Sequence, residues 1–311
     1  MYLPYLRNRT NEVFAVLESA PVTAAQRLVL PLFNLVDEGA YFPARLQKIA
    51  AATQPVGLII NTAPRTTWAS LAGLVASIQA VHPGMVFPAF EISDATTHAD
   101  VSWFATQFVG LSTILVHRTP PAFAGLDTVI RGLALPPLHV ASVAAAPSVG
   151  LIAAPSLGAA IMVDAFDRQV VNGAYPVRSV FANHAYDYSI LGFNGFSDFG
   201  TVGDYFRKGG GQASHVALHL TEPSGDGLVC NHFVSNSTPK SAGIRFKYAD
   251  ALSQLIAHVA SSAAPFTTTG AQEYVSPHTY RGLGIAKRWS IRHHLELMHH
   301  ILRNSGASPL L

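Results

Sequence analysis

Acidic, basic and histidine side chains follow several short apolar runs of this chain, and their types and spacing could support chemistry. A carboxylate can act as a general acid or base or bind a divalent cation, a histidine can move a proton, and an arginine can hold a phosphate. The catalytic candidates are Glu91, His117, Asp164 and Asp167, of which Glu91 and Asp164 are also the candidate metal ligands. The candidate anion-binding residues are Arg65, Arg118 and Arg168. This donor set favours Mg²⁺ or Mn²⁺ as a cofactor, because hard cations prefer carboxylate oxygens.

The same acidic residues also have a structural interpretation. An Asp or Glu directly after a strand often caps the helix that follows, and such a cap stabilises by about 1 kcal/mol. Asp37, Glu38 and Asp94 fit that interpretation better than the catalytic one.

A glycine-rich segment, residues 192–211, combines aromatic, acidic and basic side chains without apolar periodicity. It contains neither GxxxxGK[ST] nor GxGxxG, so it is not a P-loop or a dinucleotide-binding turn. The composition is typical of a lid or a loop that stacks on a ligand, with Asp198, Asp204 and Tyr205 as candidate ligand contacts. The alternative is an ordered extension whose aromatic side chains pack over neighbouring structure.

Histidines form two further groups. His293, His294, His299 and His300 fall in a predicted C-terminal helix, but the HExxH spacing is missing, so packing is the ordinary expectation and zinc the alternative. His219 and His232 are expected to face each other across a hairpin. The lone Cys230 excludes an intramolecular disulfide, and we expect no cysteine-based zinc site.

Eight apolar runs, spaced by about 25 residues, are the elements that must position these groups. That spacing accommodates one strand, one helix and two loops, which predicts a (β/α)8 TIM-like barrel, irregular around its fifth unit. Parallel barrel strands present function at their C-terminal rim, so the side chains that follow the runs should converge there. The runs begin near Leu28, Val56, Met85, Leu111, Leu138, Ala160, Ile190 and His215.

The last third of the chain departs from this pattern. Alternating apolar and polar residues on both sides of a Ser-Gly-Asp-Gly turn predict a β-hairpin over residues 215–235. A long amphipathic helix and a final helix, Lys287 to Leu302, follow it. We therefore expect a single barrel domain over residues 1–270, hairpin included, and a helical extension over residues 271–311.

Composition narrows the function classes. Hydrophobic residues make up 49% of the chain and charged residues 12%, which is enough apolar material for a large core. A net charge of +2 is too weak and dispersed to favour nucleic acid as a partner, although it does not exclude it. The chain has no signal-type segment and no uninterrupted run of 18 apolar residues, so we expect no membrane association and a reducing, cytoplasmic setting.

Several short motifs along most of the chain resemble the phage Beta protein family and its bacterial relatives. They are Tyr2-Leu3-Pro4-Tyr5-Leu6-Arg7, Glu12 with Ala15-Val16-Leu17, Leu30-Pro31-Leu32-Phe33, Gly195-Phe196-Ser197-Asp198-Phe199, Gly203-Asp204-Tyr205, His232-Phe233-Val234-Ser235 and Trp289 followed by His293-His294. The resemblance implies a barrel-like domain in a phage or bacterial setting and implies no reaction. Asn34 stands where relatives often carry an acidic residue, which weakens any shared carboxylate site there.

Two functional hypotheses follow. The first is a barrel protein that binds a small anionic or phosphorylated ligand at the C-terminal rim and acts as a metal-assisted hydrolase or phosphodiesterase. The second is a non-catalytic protein-interaction module in phage–host conflict or antiviral defence. In the module, individual rim carboxylates would be dispensable, whereas Phe196, Tyr205 or Phe206 would be required.

Overall fold

The computed structural model describes residues 1–36, 39–147, 158–206, 214–225, 227–236, 243–262, 267–277 and 279–311. Its main feature is an eight-stranded, all-parallel sheet curled into a barrel, which confirms the predicted (β/α)8 fold. The barrel strands are β1 (Tyr5–Arg7), β2 (Leu32–Asn34), β3 (Val56–Ile59), β4 (Val86–Ile92), β5 (Ile114–His117), β6 (Leu138–Ser142), β7 (Gly158–Met162) and β9 (Gly195–Ser197).

Hydrogen bonds between β9 and β1 close the barrel. The Phe196 amide donates to Met1 at 3.0 Å, and the Leu3 amide donates back to Phe196 at 2.9 Å. The Tyr5 amide continues the seam to Asp198 at 2.7 Å. Closure of this kind removes both sheet edges, so every barrel strand has a neighbour on each side.

The first and last barrel strands differ from the predicted ones. The runs near Ile190 and His215 were expected to supply the last two strands, but that prediction is wrong for both. β9 begins five residues after Ile190, and the His215 run lies outside the barrel sheet. β1, which precedes the first predicted run, takes the remaining place.

Helices cover the outside of the barrel and bury a second apolar layer against it. In α2, for example, Phe42, Leu46 and Ile49 are buried at the spacing of a single helix face. Within the described ranges the barrel helices are α1 (Thr10–Thr23), α2 (Phe42–Ala51), α3 (Trp68–Val81), α4 (His98–Gln107) and α5 (Leu126–Arg131). Most of the predicted irregularity around the fifth unit falls on residues 148–157, which lie outside the described residues.

The chain leaves the barrel between β7 and β9 and again after β9 to build a small antiparallel sheet. Its strands are β8 (Arg178–Ala182), β10 (Ala217–Ser224) and β11 (Gly227–Val234), in the order β10-β11-β8. The predicted hairpin is therefore present as β10 and β11, paired with β8 and not with a barrel strand.

The remaining helices are α6 (His184–Asp187), α7 (Ile244–Ser261), α8 (Thr269–Val275) and α9 (Leu283–Asn304). α9 packs against both α1 and β10, so it ties the small sheet to the barrel. None of the helices in the described ranges is both long and apolar enough to cross a lipid bilayer. The proposed domain division at residue 270 stays a prediction.

Candidate functional site at the barrel mouth

Glu91 points into the barrel at its C-terminal mouth. It lies two residues beyond Ala89, whose side chain belongs to the barrel interior, and strand alternation places both on the same face. The Tyr5 hydroxyl donates a hydrogen bond to Glu91 Oε2 at 2.5 Å. Asn61 fixes the backbone at the same point, because its amide exchanges two hydrogen bonds of 2.7 Å with the Glu91 N–H and C=O groups.

The environment of Glu91 favours its protonated form. Burial raises the pKa of the Glu91 carboxyl, and the Tyr5 hydroxyl and the Arg118 guanidinium oppose that rise only in part. A carboxyl whose pKa is raised at a barrel mouth is a candidate general acid.

Arg118 links Glu91 to the glycine-rich segment. Its guanidinium forms an ion pair with Asp204 and lies 5.4 Å from the centre of the Tyr5 ring and 5.0 Å from that of Phe199. Asp164 reaches the same segment, since its Oδ2 accepts a hydrogen bond of 3.1 Å from the Asp204 amide. The structure thus brings four predicted site residues together: Glu91, Arg118, Asp164 and Asp204.

A cavity of about 770 Å³ opens beside this cluster, between the barrel mouth, β10 and α9. Basic and aromatic side chains supply about half of its lining residues, and no carboxylate is among the lining residues in the described part of the chain. The basic residues are Arg7, Arg168 and Lys287, and the aromatic ones are Phe166, Tyr175, Tyr205, Phe206 and Tyr274.

Arg7 holds the loop that forms one wall of the cavity. Its Nη2 donates hydrogen bonds of 2.8 Å to the carbonyl oxygens of both Gly203 and Asp204. Gly203 has a φ of +67°, a backbone conformation that side-chain-bearing residues rarely adopt. Residues 203–206 of this loop thus lie at the barrel mouth, and they place Tyr205 and Phe206 in the cavity wall.

Glu12 balances part of the positive charge. This fully buried carboxylate accepts hydrogen bonds from the Arg7 amide at 2.6 Å and from Lys287 Nζ at 2.7 Å. Arg168 is exposed, and its guanidinium carbon lies 4.1 Å from the centre of the Tyr205 ring. Lys287 is exposed as well, but its ammonium group is paired with Glu12.

Three predicted site residues, His117, Arg65 and Asp198, lie away from the mouth. His117 follows the inward-facing Val116, so its side chain points outward, where its Nε2 lies 2.9 Å from Nδ1 of His139. This position corrects the proposed role of His117 as a proton shuttle at the mouth. Arg65 is exposed and forms an ion pair with Asp100.

Asp198 is buried between the barrel and α9, where it cannot contact a ligand at the mouth. It accepts hydrogen bonds from the Tyr2 hydroxyl at 2.6 Å and the Gly200 amide at 2.8 Å, and His294 Nε2 lies 3.3 Å away. Burial alone would raise its pKa, but His294 and these donors lower the pKa of Asp198 overall. The predicted ligand contact is thus a structural carboxylate.

The remaining predicted residues lie near the cavity or in the core. Asp167 is exposed beside the cavity-lining Phe166 and Arg168. Phe196, which the protein-interaction hypothesis requires, is buried and stacks on Tyr2 with a centroid distance of 4.9 Å. Asp37 and Glu38 lie outside the described residues.

His219, Cys230 and His232 of the small sheet could hold a metal ion, because one potential ligand atom of each lies within 4.8 Å of the others. The expectation of no cysteine-based zinc site assumed that a single cysteine is too few. That assumption is wrong, because one cysteine and two histidines together offer three ligands. By contrast, the histidines of α9 at 293 and 294 are hydrogen-bonded to Thr268, Thr221 and Asp198, so they pack the helix against its neighbours.

Sequence reasoning missed Tyr5, Arg7 and Lys287. Tyr5 and Arg7 are two residues apart on β1 and therefore share one face of the strand. Recognition of that strand would have placed both side chains at the mouth. Lys287 had no such signal, because only the docking of α9 brings it to the cavity.

The fold and the mouth define the chain as a (β/α)8-barrel protein with a basic, aromatic cavity at the C-terminal ends of its strands. No protein-family model matches the sequence, and neither does any curated protein. The resemblance to the Beta protein family therefore stays a prediction.

Proposed function

We propose that this protein binds a small phosphorylated ligand that carries an aromatic ring, such as a nucleotide, in the cavity at the barrel mouth. The observation that carries the proposal is the cavity wall, which combines three basic side chains with five aromatic ones. Guanidinium groups hold phosphate oxygens through paired hydrogen bonds, and aromatic side chains stack on planar bases. The volume of about 770 Å³ lies within the usual range for small-molecule sites.

Arg168 is the residue we assign to the phosphate. Arg7 is committed to two loop carbonyls and Lys287 to Glu12, so these two groups supply charge but have fewer free donors. The Arg168 guanidinium carbon lies 4.1 Å from the centre of the Tyr205 ring, and an arginine that packs on an aromatic ring can still direct N–H donors at a phosphate.

The proposal extends to hydrolysis of a phosphoester bond in that ligand. A water molecule would attack phosphorus as the bond to the leaving oxygen breaks, and the proton that the water loses would pass to solvent. Glu91, whose pKa is raised by burial, would donate a proton to the leaving oxygen. The Mg²⁺ or Mn²⁺ favoured by the sequence would use Asp164 together with water and a substrate phosphate, because Glu91, as the uncharged proton donor, cannot bind the ion in the same step. Cytoplasm is the compartment we propose, because a single buried cysteine suits a reducing setting.

Isothermal titration with ADP, ribose 5-phosphate and inorganic phosphate tests the binding proposal. We expect ADP to bind most tightly and Arg168→Gln to weaken it by about tenfold, the loss of about 1.4 kcal/mol. Arg65→Gln is the matched control, since Arg65 is also exposed but pairs with Asp100 outside the cavity. Absence of binding by all three probes, or an equal loss in both variants, contradicts the proposal and favours the protein-interaction module.

Phosphorus NMR of the bound nucleotide with Mg²⁺ or Mn²⁺ tests the hydrolytic part. Glu91→Gln should slow phosphate release by about 10²-fold while the nucleotide dissociation constant stays within a factor of about three. Unchanged turnover in Glu91→Gln would remove Glu91 from the reaction and leave the binding proposal standing.

A further inference from the structure

We propose that His219, Cys230 and His232 form a zinc-class metal site with three protein ligands and an open fourth position facing the cavity. The ion would be a borderline-soft divalent metal such as Zn²⁺, not the Mg²⁺ or Mn²⁺ discussed above. This site uses none of the residues assigned to the phosphorylated ligand, so either proposal can fail alone.

The antiparallel register of the small sheet places the three ligands together. His219 on β10 is directly opposite His232 on β11, and Cys230 lies two residues before His232 on the same face. The two Nδ1 atoms are 2.8 Å apart, and Cys230 Sγ is 4.0 Å from Nδ1 of His232. Tetrahedral zinc needs ligand separations of about 3.3 to 3.6 Å, so these two distances would change by about half an ångström, and the distance from Cys230 to His219, at most 4.8 Å, by up to about 1.2 Å.

Ser179 on β8 orients one of the ligands. Its Oγ lies 2.8 Å from Nε2 of His232, on the side of the ring opposite the cluster. When Ser179 accepts the proton of Nε2, the lone pair of Nδ1 points toward the other two ligands. A metal-binding histidine commonly engages its second nitrogen in this way, because the hydrogen bond fixes both the tautomer and the ring orientation.

Aromatic rings hold the two imidazoles from the barrel side. Tyr175 stacks on His232 at a centroid distance of 4.8 Å, and Phe166 packs edge-on against His219 at 5.1 Å. Phe166, Tyr175 and His219 all line the cavity, whereas Cys230 is fully buried. Burial closes the thiolate side of the site, and His219, as the ligand that lines the cavity, places the proposed fourth position on the cavity side.

The chemistry of the donor set selects the metal. One thiolate and two imidazoles suit Zn²⁺, Co²⁺ or Cu²⁺ and disfavour Mg²⁺, Mn²⁺ and Ca²⁺, which take oxygen ligands. Three protein ligands with a free position are typical of zinc that binds water or a substrate atom, since purely structural zinc usually has four protein ligands. A phosphate oxygen or a water molecule from the cavity is the fourth ligand we expect.

Metal analysis and cobalt spectroscopy of the full chain test the site. Chelator-stripped protein reloaded with Zn²⁺ should retain one equivalent after gel filtration, and the Co²⁺ form should show a thiolate-to-cobalt charge-transfer band. Cys230→Ser should lose that band and weaken Zn²⁺ binding by at least about tenfold, the usual minimum for a lost ligand or its support. His215→Gln is the matched control, because His215 lies beside the same strand and outside the cluster.

Circular dichroism shows whether each variant is folded, and His219→Asn provides a second ligand variant if Cys230→Ser does not fold. Substoichiometric Zn²⁺ in the wild type, a charge-transfer band that survives in Cys230→Ser, or an equal loss in His215→Gln overturns the proposal. In that case the two histidines are a hydrogen-bonded cross-strand pair. Arg168→Gln should keep the full metal content, which separates this result from the ligand-binding experiment.

Discussion

The buried pair His117–His139 predicts that acidification destabilises the protein. Both imidazoles are enclosed between β5, β6 and the helical layer, with relative exposures of 2% and 0%. Burial, aided by the neighbouring His139, lowers the pKa of His117 to about 3, and burial lowers the pKa of His139 to about 4. The Nε2 atom of His139 has no hydrogen-bond partner among the described residues, so nothing there stabilises a second proton.

The sign and size of the effect follow from proton linkage. An unfolded histidine takes up a proton below a pH of about 6.5, whereas these two stay neutral in the folded state until about pH 4 or lower. Their contribution to stability is therefore complete above pH 6.5 and is lost as the pH falls below it. Between pH 8 and pH 5 the loss is about 2 kcal/mol for each histidine, and it is insensitive to the folded pKa as long as that value is below about 5.

Urea unfolding followed by tryptophan fluorescence at pH 8 and pH 5 measures this loss. His117→Gln keeps an Nε2 atom near His139 but cannot titrate, so the drop in the free energy of unfolding should shrink by about 2 kcal/mol. His98→Gln, at an exposed position in α4, is the control and should change the drop by less than about 0.5 kcal/mol. The reasoning is refuted if His117→Gln shows the full wild-type drop, or if the wild type loses no stability at pH 5.

Two further predictions concern stability measured by urea unfolding. Gly270→Ala should lower the free energy of unfolding by about 3 kcal/mol, because the new Cβ would lie 2.2 Å from the His293 amide nitrogen where α8 crosses α9. The control is Gly73→Ala on the exposed face of α3, where nothing lies within 4 Å of the new Cβ, and it should raise the free energy of unfolding by about 0.5 kcal/mol. Equal effects of the two substitutions would contradict the close helix crossing. Asp198→Ala should lower the free energy of unfolding by about 3 kcal/mol, because it removes a buried acceptor from Tyr2, Gly200 and His294. The control is Arg65→Gln at an exposed ion pair, which should lower it by less than about 1 kcal/mol. If Asp198→Ala lowers the free energy of unfolding no more than this control, the buried hydrogen bonds contribute little to stability.

The sequence predicts those strands that contain a long, continuous run of apolar residues. The runs from Val56 to Ala160 supply the central barrel strands, because strands buried on both faces need continuous apolar side chains. β1 and β9 are three residues each, and β9 consists of Gly-Phe-Ser, so neither shows a period. The His215 run alternates instead, which is typical of a sheet with one packed face and in hindsight argues against a parallel barrel strand.

Part of the site was predictable, because barrel geometry determines which side chains at the strand ends point into the mouth. Glu91, Arg118 and Asp164 converge because each lies two residues beyond an inward-facing strand residue, Ala89, Val116 and Met162 respectively, at the same rim. His117 and Asp198 were misplaced because neighbouring strand positions face opposite sides, so a shift of one residue exchanges mouth and core. The cavity itself depends on how α9 and the small sheet dock, and no local pattern encodes that docking.

The seam between β1 and β9 imposes an order on biosynthesis. Tyr2 and Asp198, which meet there, are 196 positions apart. A ribosome must therefore deliver almost two-thirds of the polypeptide before the ring can shut. Until then β1 has an unpaired edge that other nascent chains could bind. We therefore expect this topology to depend on chaperones during translation.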